Sequence, residues 1–447
     1  MRHCLTAPEG GYYTKVTAGR DPFGAKGDFI TSPEISQVFG ELVGIWIIAE
    51  WMAQGRSKEG VQIIEVGPGR GTLMADVLRS IRNFKAMASS IESIYMVEAS
   101  PHLREAQRTL LCGDSEMKEI DIGYKSRCKY VDVDITWCED IRFVPKGPSK
   151  TPFIIAHEFF DALPIHVFQN IPDSSIPKSS QTTILTPTGP ITPKPRIPPS
   201  PQNKWHELVV SPISNTSSSS SVSSKSSADP PPEFQLTVSK TPTPHSLYLP
   251  STSPRYAALS NTPNAIIEIS PESLTYISDI ATRIGGTNPS PNSSTDKPSP
   301  SGAALILDYG TKDTIPANTL RGIRQHKLIS PFSVPGEVDI SADVDFMALA
   351  ESAINASPGV EVHGPIEQAT FLNAMGIEQR AEMLLKKAKA SEGGEETVKR
   401  IESGWKRLVD RGPTGMGKIY KAMAIVPYDP KRQTPRRPVG FGGDVVV

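Results

Sequence analysis

Short apolar runs, each closed by acids or a polar pair, recur along the early part of the chain. They are Ile63-Ile64-Glu65, Ile94-Tyr95-Met96-Val97-Glu98, Lys129-Tyr130-Val131-Asp132-Val133-Asp134 and Phe153-Ile154-Ile155-Ala156-His157-Glu158. Between the first two, residues 72–81 predict a helix. Strand, helix, strand, each strand ending in polar residues, is the pattern of a parallel sheet with its ligand at the carboxyl edge. Ala304-Leu305-Ile306-Leu307-Asp308-Tyr309 predicts a fifth strand and residues 419–426 a closing one. Further helices are predicted over residues 35–52, from near Pro271, and over residues 367–387, where Phe371, Leu372, Met375, Ile377, Leu384 and Leu385 recur at helical spacing.

Composition interrupts this pattern twice. Residues 171–263 are rich in Pro, Ser and Thr, bury too little apolar area to offset their ordering entropy, and are expected to be largely disordered. Two strand-like islands, Trp205-His206-Glu207-Leu208-Val209-Val210 and Phe234-Gln235-Leu236-Thr237-Val238, predict a hairpin excursion inside that stretch. A second polar loop spans residues 285–301. The 447 residues therefore read as one domain carrying insertions. Its segments are an N-terminal lid and helix (1–55), a cofactor core (56–170), the insertion (171–263), the rest of the sheet with a helical region (264–427), and a tail (428–447).

Charge and cysteine usage exclude some partners. With 47 basic and 48 acidic residues there is no global field for nucleic acid or an anionic membrane. Self-association stays open. The four cysteines form no C-x-x-C pair, which indicates neither a zinc site nor a disulfide framework. The apolar stretch over residues 42–51 is too short to span a bilayer and contains Glu50.

The first run continues into a turn with three alternating glycines, Gly67, Gly69 and Gly71, which opens the helix over residues 72–81. Glycine lets the backbone take positive φ and approach a ligand, and the N–H groups of the helix start point at it. A dinucleotide site uses G-x-G-x-x-G, whereas this spacing is G-x-G-x-G with Glu65 before it. An acid there repels a pyrophosphate but suits an ammonium and a sulfonium, which favours S-adenosylmethionine. A plain Gly-rich turn has the same sequence signature. Glu98, at the second strand tip, sits where ribose hydroxyls are bound, although a solvated strand-end acid looks the same. Asp134, closing the third run, and Asp28, in the polar string before the first helix, complete the acids expected around the cofactor.

His157, Glu158 and Asp161 follow the fourth strand and face the same crevice. A metal is not expected there, because adjacent His and Glu at a strand end point to opposite faces and no second cluster offers ligands. Methyl transfer needs an acceptor held in line and desolvated. A carboxylate orients a guanidinium acceptor, so Glu158 is the first candidate clamp and Asp161 the second, with helix capping an equal alternative for Asp161.

Five strings carry a family resemblance: GDFITSPEISQVFGELVGIW, EVGPGRGTLMADVLR, HEFFDALPIHVFQ, SADVDFMALA and GPIEQATFLNAMGI. In this order they resemble the MidA-type methyltransferases, mitochondrial complex I assembly factors that act as protein arginine methyltransferases. The resemblance implies a class I S-adenosylmethionine-dependent α/β fold, a doubly wound seven-stranded sheet with an added helical region. It implies symmetric dimethylation of an arginine in a core matrix-arm subunit of complex I, in the mitochondrial matrix. It places the cofactor motif on Gly67, Gly69 and Gly71, the ribose acid on Glu98, and a lid on residues 26–33. Family members usually carry a mitochondrial leader and an extra N-terminal helix ahead of Gly11, expected here either to be missing from the protein or to precede residue 1. A non-catalytic assembly chaperone and a small-molecule methyltransferase are the alternative functions.

Overall fold

A computed structural model describes residues 1–15, 27–172, 184–186, 189–191, 204–213, 231–287, 299–390, 394–430 and 436–443. Lys26 and much of the Ser/Pro-rich stretches lie outside the described residues. The chain divides into two compact units, one of residues 1–164, 271–314 and 320–447, the other of residues 165–270 and 315–319.

In chain order the first unit contains α1 (Gln37–Ala53), β1 (Val61–Val66), α2 (Thr72–Ile81), β2 (Ile91–Val97), α3 (Pro101–Cys112), β3 (Asp134–Cys138) and β4 (Thr151–His157). It continues with α4 (Pro271–Gly285), β5 (Ala303–Thr311), α5 (Phe346–Ala356), β6 (Val360–Glu367), α6 (Gln368–Ala374), α7 (Ile377–Lys389), α8 (Glu395–Val409) and β7 (Tyr420–Pro427). The strands lie in the order β6-β7-β5-β4-β1-β2-β3. A hairpin of Gly123–Arg127 and Lys118–Ile120 extends the β3 edge, and Val344–Asp345 adds a short pairing to β5, which makes ten strands among the described residues. Strands β1 to β5 run parallel, and β7 is antiparallel to both of its neighbours.

Alternate residues of the central strands serve opposite faces, as the pleat requires. Ile63, Phe153, Ile155, Leu305 and Leu307 pack in one apolar core with Trp46 of α1, Leu73 and Val77 of α2, and Phe371 and Leu408 of the C-terminal helices. Ile64, Ile154, Ala156, Ala304 and Ile306 pack in the other with Ile277, Ile280, Phe346 and Leu349 of α4 and α5. Each such side chain contributes about 1.5–3 kcal/mol on burial. The strand order reverses between β1 and β4, and a doubly wound sheet opens a ligand crevice at their carboxyl ends.

Several boundaries differ from the sequence expectation for local reasons. Residues 35–52 do not form one helix: Ser32–Ile35 is a separate turn, and extended Ser36 breaks it before α1, its hydroxyl accepting from Val38 N. The third run places its strand late. Cys128 N bonds Val133 O at 3.0 Å, so residues 129–133 form a bend and Asp134 begins β3 instead of ending it. Gly376, at φ 81°, divides the predicted helix over 367–387 into α6 and α7. Residues 436–443, set apart in the sequence as a tail, lie on α1: Trp46 Nε1 donates to Val439 O at 3.1 Å, and Arg436 pairs with the fully buried Glu50 at 2.8 Å.

The second unit is built on a four-stranded antiparallel sheet of Phe234–Val238, Lys204–Pro212, His166–Ile171 and Ile266–Ile269, in that order. The predicted hairpin islands pair as its first two strands, with Leu208 opposite Val238. Buried Asn170 donates to the carbonyls of Leu259, Ser260 and Thr262 and pins the chain entering Ile266–Ile269.

Candidate active site

The tips of β1, β2, β3, β4 and β5 meet around a cavity of about 890 Å³ lined by Glu65, Gly67, Gly69, Glu98, Glu158 and Asp161 among others. The glycine turn forms its floor. Gly67, Gly69 and Gly71 all have positive φ, of 64°, 52° and 81°. A Cβ on Gly67 would stand 2.7 Å from the Phe159 ring, so the close approach the motif predicts is a steric requirement here. Gly71 does not line the cavity; it is the left-handed N-cap of α2 and faces Gln107.

Helix α3 holds this floor. Gln107 is fully buried; its Nε2 donates to Gly69 O at 2.6 Å and to Glu98 Oε2 at 3.2 Å, while its Oε1 accepts from Trp137 Nε1 at 2.8 Å. Glu98 also accepts from Ser100 N at 2.8 Å. Burial raises its pKa to about 7, against the opposing Ser100 and Gln107 hydrogen bonds. Burial and the Glu98 charge push Glu65 well above the usual range, and Glu65 Oε2 is buried without a hydrogen-bond partner. Such an atom is costly unless a bound group satisfies it.

The loop after β4 forms the opposite wall. Glu158 has φ 49°, and this left-handed step turns its side chain back onto the strand end, with Oε1 3.2 Å from His157 Nε2. The expectation that the pair points to opposite faces therefore fails, because it assumes extended backbone through residue 158. Neither of those atoms completes an aligned hydrogen bond. Burial lowers His157 to about 3, so its imidazole is neutral. Burial, then the Asp161 charge, pushes Glu158 well above its usual range, opposed by a backbone hydrogen bond from Ser32. Asp161 is raised by burial as well; it accepts the Tyr309 hydroxyl on Oδ2 and leaves Oδ1 buried and unpartnered. No helix begins at Asp161; residues 161–163 form a turn.

Two expected cofactor acids lie elsewhere. Asp134 enters β3 at the edge away from the strand tips, half exposed, 3.7 Å from Lys125 and 3.5 Å from Arg127. Asp28 is buried outside the cavity lining and accepts from Tyr12 Oη at 2.6 Å and Gln325 N at 2.7 Å, which makes it an anchor of the front segment. The segment still reaches the site: Phe29, Ile30, Thr31, Pro33 and Glu34 line the cavity, and Glu34 pairs with Arg70 of the glycine turn at 3.2 Å.

The sequence reading missed Tyr309, Asp339 and the Glu139-Asp140 pair, all in the lining. Tyr309 follows Asp308 at the tip of the fifth strand, so the rule that singled out Glu98 also applies there. Asp339, raised to about 7 by burial and then the Asp161 charge, accepts from Tyr13 Oη at 2.8 Å and carries no local sequence signal.

A family described as "Putative S-adenosyl-L-methionine-dependent methyltransferase" matches residues 42–366. The chain belongs to that family. Its cofactor is S-adenosylmethionine, and the cavity fits such a group: a turn that must lack a Cβ, a buried carboxylate oxygen on Glu65 with no hydrogen-bond partner, and the Glu98 carboxyl share one lining. The mitochondrial protein arginine methyltransferase NDUFAF7 of Homo sapiens is 34% identical over 433 residues, 96% of this chain and 79% of that one. The Drosophila melanogaster homologue of NDUFAF7 is 34% identical over 431 residues, 96% of this chain and 80% of that one. Among solved structures, a COG1565 superfamily member and likely methyl transferase from Burkholderia thailandensis, bound to S-adenosyl-homocysteine, has the same fold. Its TM-score is 0.62 at 18% identity, covering 99% of this chain and 88% of that one.

Proposed function

We propose that this S-adenosylmethionine-dependent methyltransferase acts on arginine, symmetrically dimethylating an arginine of a core matrix-arm subunit of mitochondrial complex I, in the matrix, in support of complex assembly. The observation that carries the arginine reading is the pair of buried, unpartnered carboxylate oxygens, Glu158 Oε1 and Asp161 Oδ1, on one loop of the cofactor cavity. A guanidinium satisfies both through charge-assisted bonds, whereas a neutral acceptor leaves them costly. The relatives' names supply the mitochondrial setting and, for those proteins, arginine as the substrate.

The cofactor, when bound, supplies an electrophilic methyl group. The chain holds one guanidinium nitrogen against it and accepts the proton that this nitrogen loses as the N–C bond forms. Glu158, ionised by the guanidinium cation beside it, is the acceptor, and Asp161, steadied by Tyr309, orients the other edge of the guanidinium. The test is incubation of the purified chain with labelled S-adenosylmethionine and complex I matrix-arm subunits, read by mass spectrometry of arginines. Symmetric dimethylarginine is expected, lost in Glu158→Gln with S-adenosylhomocysteine binding retained. Cofactor binding without any transfer would support the chaperone alternative instead.

A further inference from the structure

The second unit carries a side-chain cluster that methyl transfer does not use. His166 begins one strand of the sheet, and Glu207, opposite Phe168 on the next, lies diagonal to it on the same face. His245 comes from a short helix, Pro244–Tyr248. His166 Nδ1 is 2.6 Å from Glu207 Oε1 and His245 Nδ1 is 4.0 Å from Glu207 Oε2. One ligand atom from each residue falls within 4.8 Å of the others, and the two imidazole centroids are 4.1 Å apart with the rings tilted by 42°. Thr243 ties the parts together: its hydroxyl donates to Glu207 Oε2 and accepts from Ser246 N at 3.1 Å, so the N-cap of the helix bearing His245 also orients the carboxylate.

We propose that His166, Glu207 and His245 bind one divalent transition-metal ion, with zinc the best match. Two imidazoles and a carboxylate are the borderline donor set that zinc takes, leaving a fourth position for water. Ligand atoms about 2 Å from a tetrahedral ion stand roughly 3.3 Å from one another. The observed 2.6 and 4.0 Å, to the two oxygens of one carboxylate, lie either side of that value, and with the three ligand atoms within 4.8 Å of one another, closure on an ion asks for side-chain shifts of roughly 1–2 Å. A plain hydrogen bond accounts for His166 but not for His245, which stands too far from the carboxylate for one. Thr243 supplies the outer-shell bond that metal-binding carboxylates use. His245, the most exposed of the three, leaves an entry path from solvent. The three residues are far apart in sequence, so no ligand motif announces them.

The experiment uses the full chain, stripped with a chelator, titrated with Zn²⁺ by calorimetry and with Co²⁺ by visible absorption. One equivalent is expected to bind, with the intense bands of tetrahedral cobalt and a thermal midpoint that climbs with zinc concentration. Thr243→Ala should weaken zinc by about 10- to 100-fold, and His245→Ala by more than that. Far-UV circular dichroism and a cooperative unfolding transition like those of the metal-free wild type, in both variants, report that they are folded. Absence of stoichiometric binding by the wild type, or equal affinity in His245→Ala, overturns the proposal.

Discussion

Gln107 Nε2 donates to the carbonyl of Gly69 at 2.6 Å, so the middle of the glycine turn is fixed from α3 and not only by its own backbone. The same side chain joins Glu98 and Trp137, and Gln107, Glu98 and Trp137 are all buried. Gln107→Leu keeps the volume and strands three partners, at a cost of about 1–3 kcal/mol each. Calorimetry with S-adenosylhomocysteine should show affinity lower by at least ~10-fold, and denaturant titration a destabilised chain.

Gly67 and Gly113 offer a matched pair of substitutions. Their φ angles are 64° and 63°, yet a Cβ on Gly67 meets Phe159 at 2.7 Å while one on Gly113 meets nothing within 4 Å. Gly113→Ala should cost only backbone strain, since φ 63° with ψ −123° is a conformation L side chains avoid, about 1–3 kcal/mol of stability with cofactor affinity unchanged. Gly67→Ala is strained at positive φ as well and also displaces the ring beside the cavity. Cofactor affinity reduced equally by both substitutions would contradict the contact described for Phe159.

Glu98 sets a pH dependence with a definite sign. Its folded pKa of about 7 exceeds the ordinary 4.5, so its contribution to stability is fully present below 4.5 and is lost as pH rises through 7. Glu98→Gln does not titrate. Relative to it, the ligand-free wild type should lose about 3 kcal/mol between those limits, read by denaturant unfolding at several pH values. If Glu98 accepts from ribose hydroxyls, which favour the ionised carboxylate, S-adenosylhomocysteine affinity of the wild type should rise with pH through about 7 and stay flat in the variant.

Tyr309→Phe probes the acceptor side. The Tyr309 hydrogen bond opposes the upward push of burial on Asp161, so its loss raises that carboxyl further. If ionised Asp161 orients a guanidinium, the acidic limb of the pH profile of kcat/KM moves to higher pH, and cofactor affinity does not change. An unmoved limb would leave Tyr309 as packing alone.

The sheet was legible because each central strand is a short apolar run with a polar tip, and α2 falls on the predicted residues 72–81. Asp134 shows where that reading stops: a bend of residues 129–133 moves the strand forward, and nothing in an apolar run marks which end is its carboxyl tip. The turn of Glu158 onto His157 was hidden for another reason, since a left-handed non-glycine residue has no sequence signature. The zinc cluster was invisible because its members come from two strands and a helix that only the folded second unit brings together.

The loop bearing Glu158 and Asp161 has its anchor on a different strand. Asp308, fully buried within β5, accepts from the amides of Phe159 at 3.1 Å, Phe160 at 2.9 Å and Asp161 at 3.4 Å, while Glu158 N bonds Leu307 O at 2.9 Å. Four consecutive amides are thus tied to one neighbouring strand, and swinging the loop aside breaks them together. The acid wall behaves as a fixed jaw. Tyr13 and Phe29 line the same cavity but are fastened to other elements, Tyr13 through its hydroxyl to Asp339 and through its backbone to Leu5 and Ser100, so a change in that part of the lining leaves the four amide bonds of the acid wall intact.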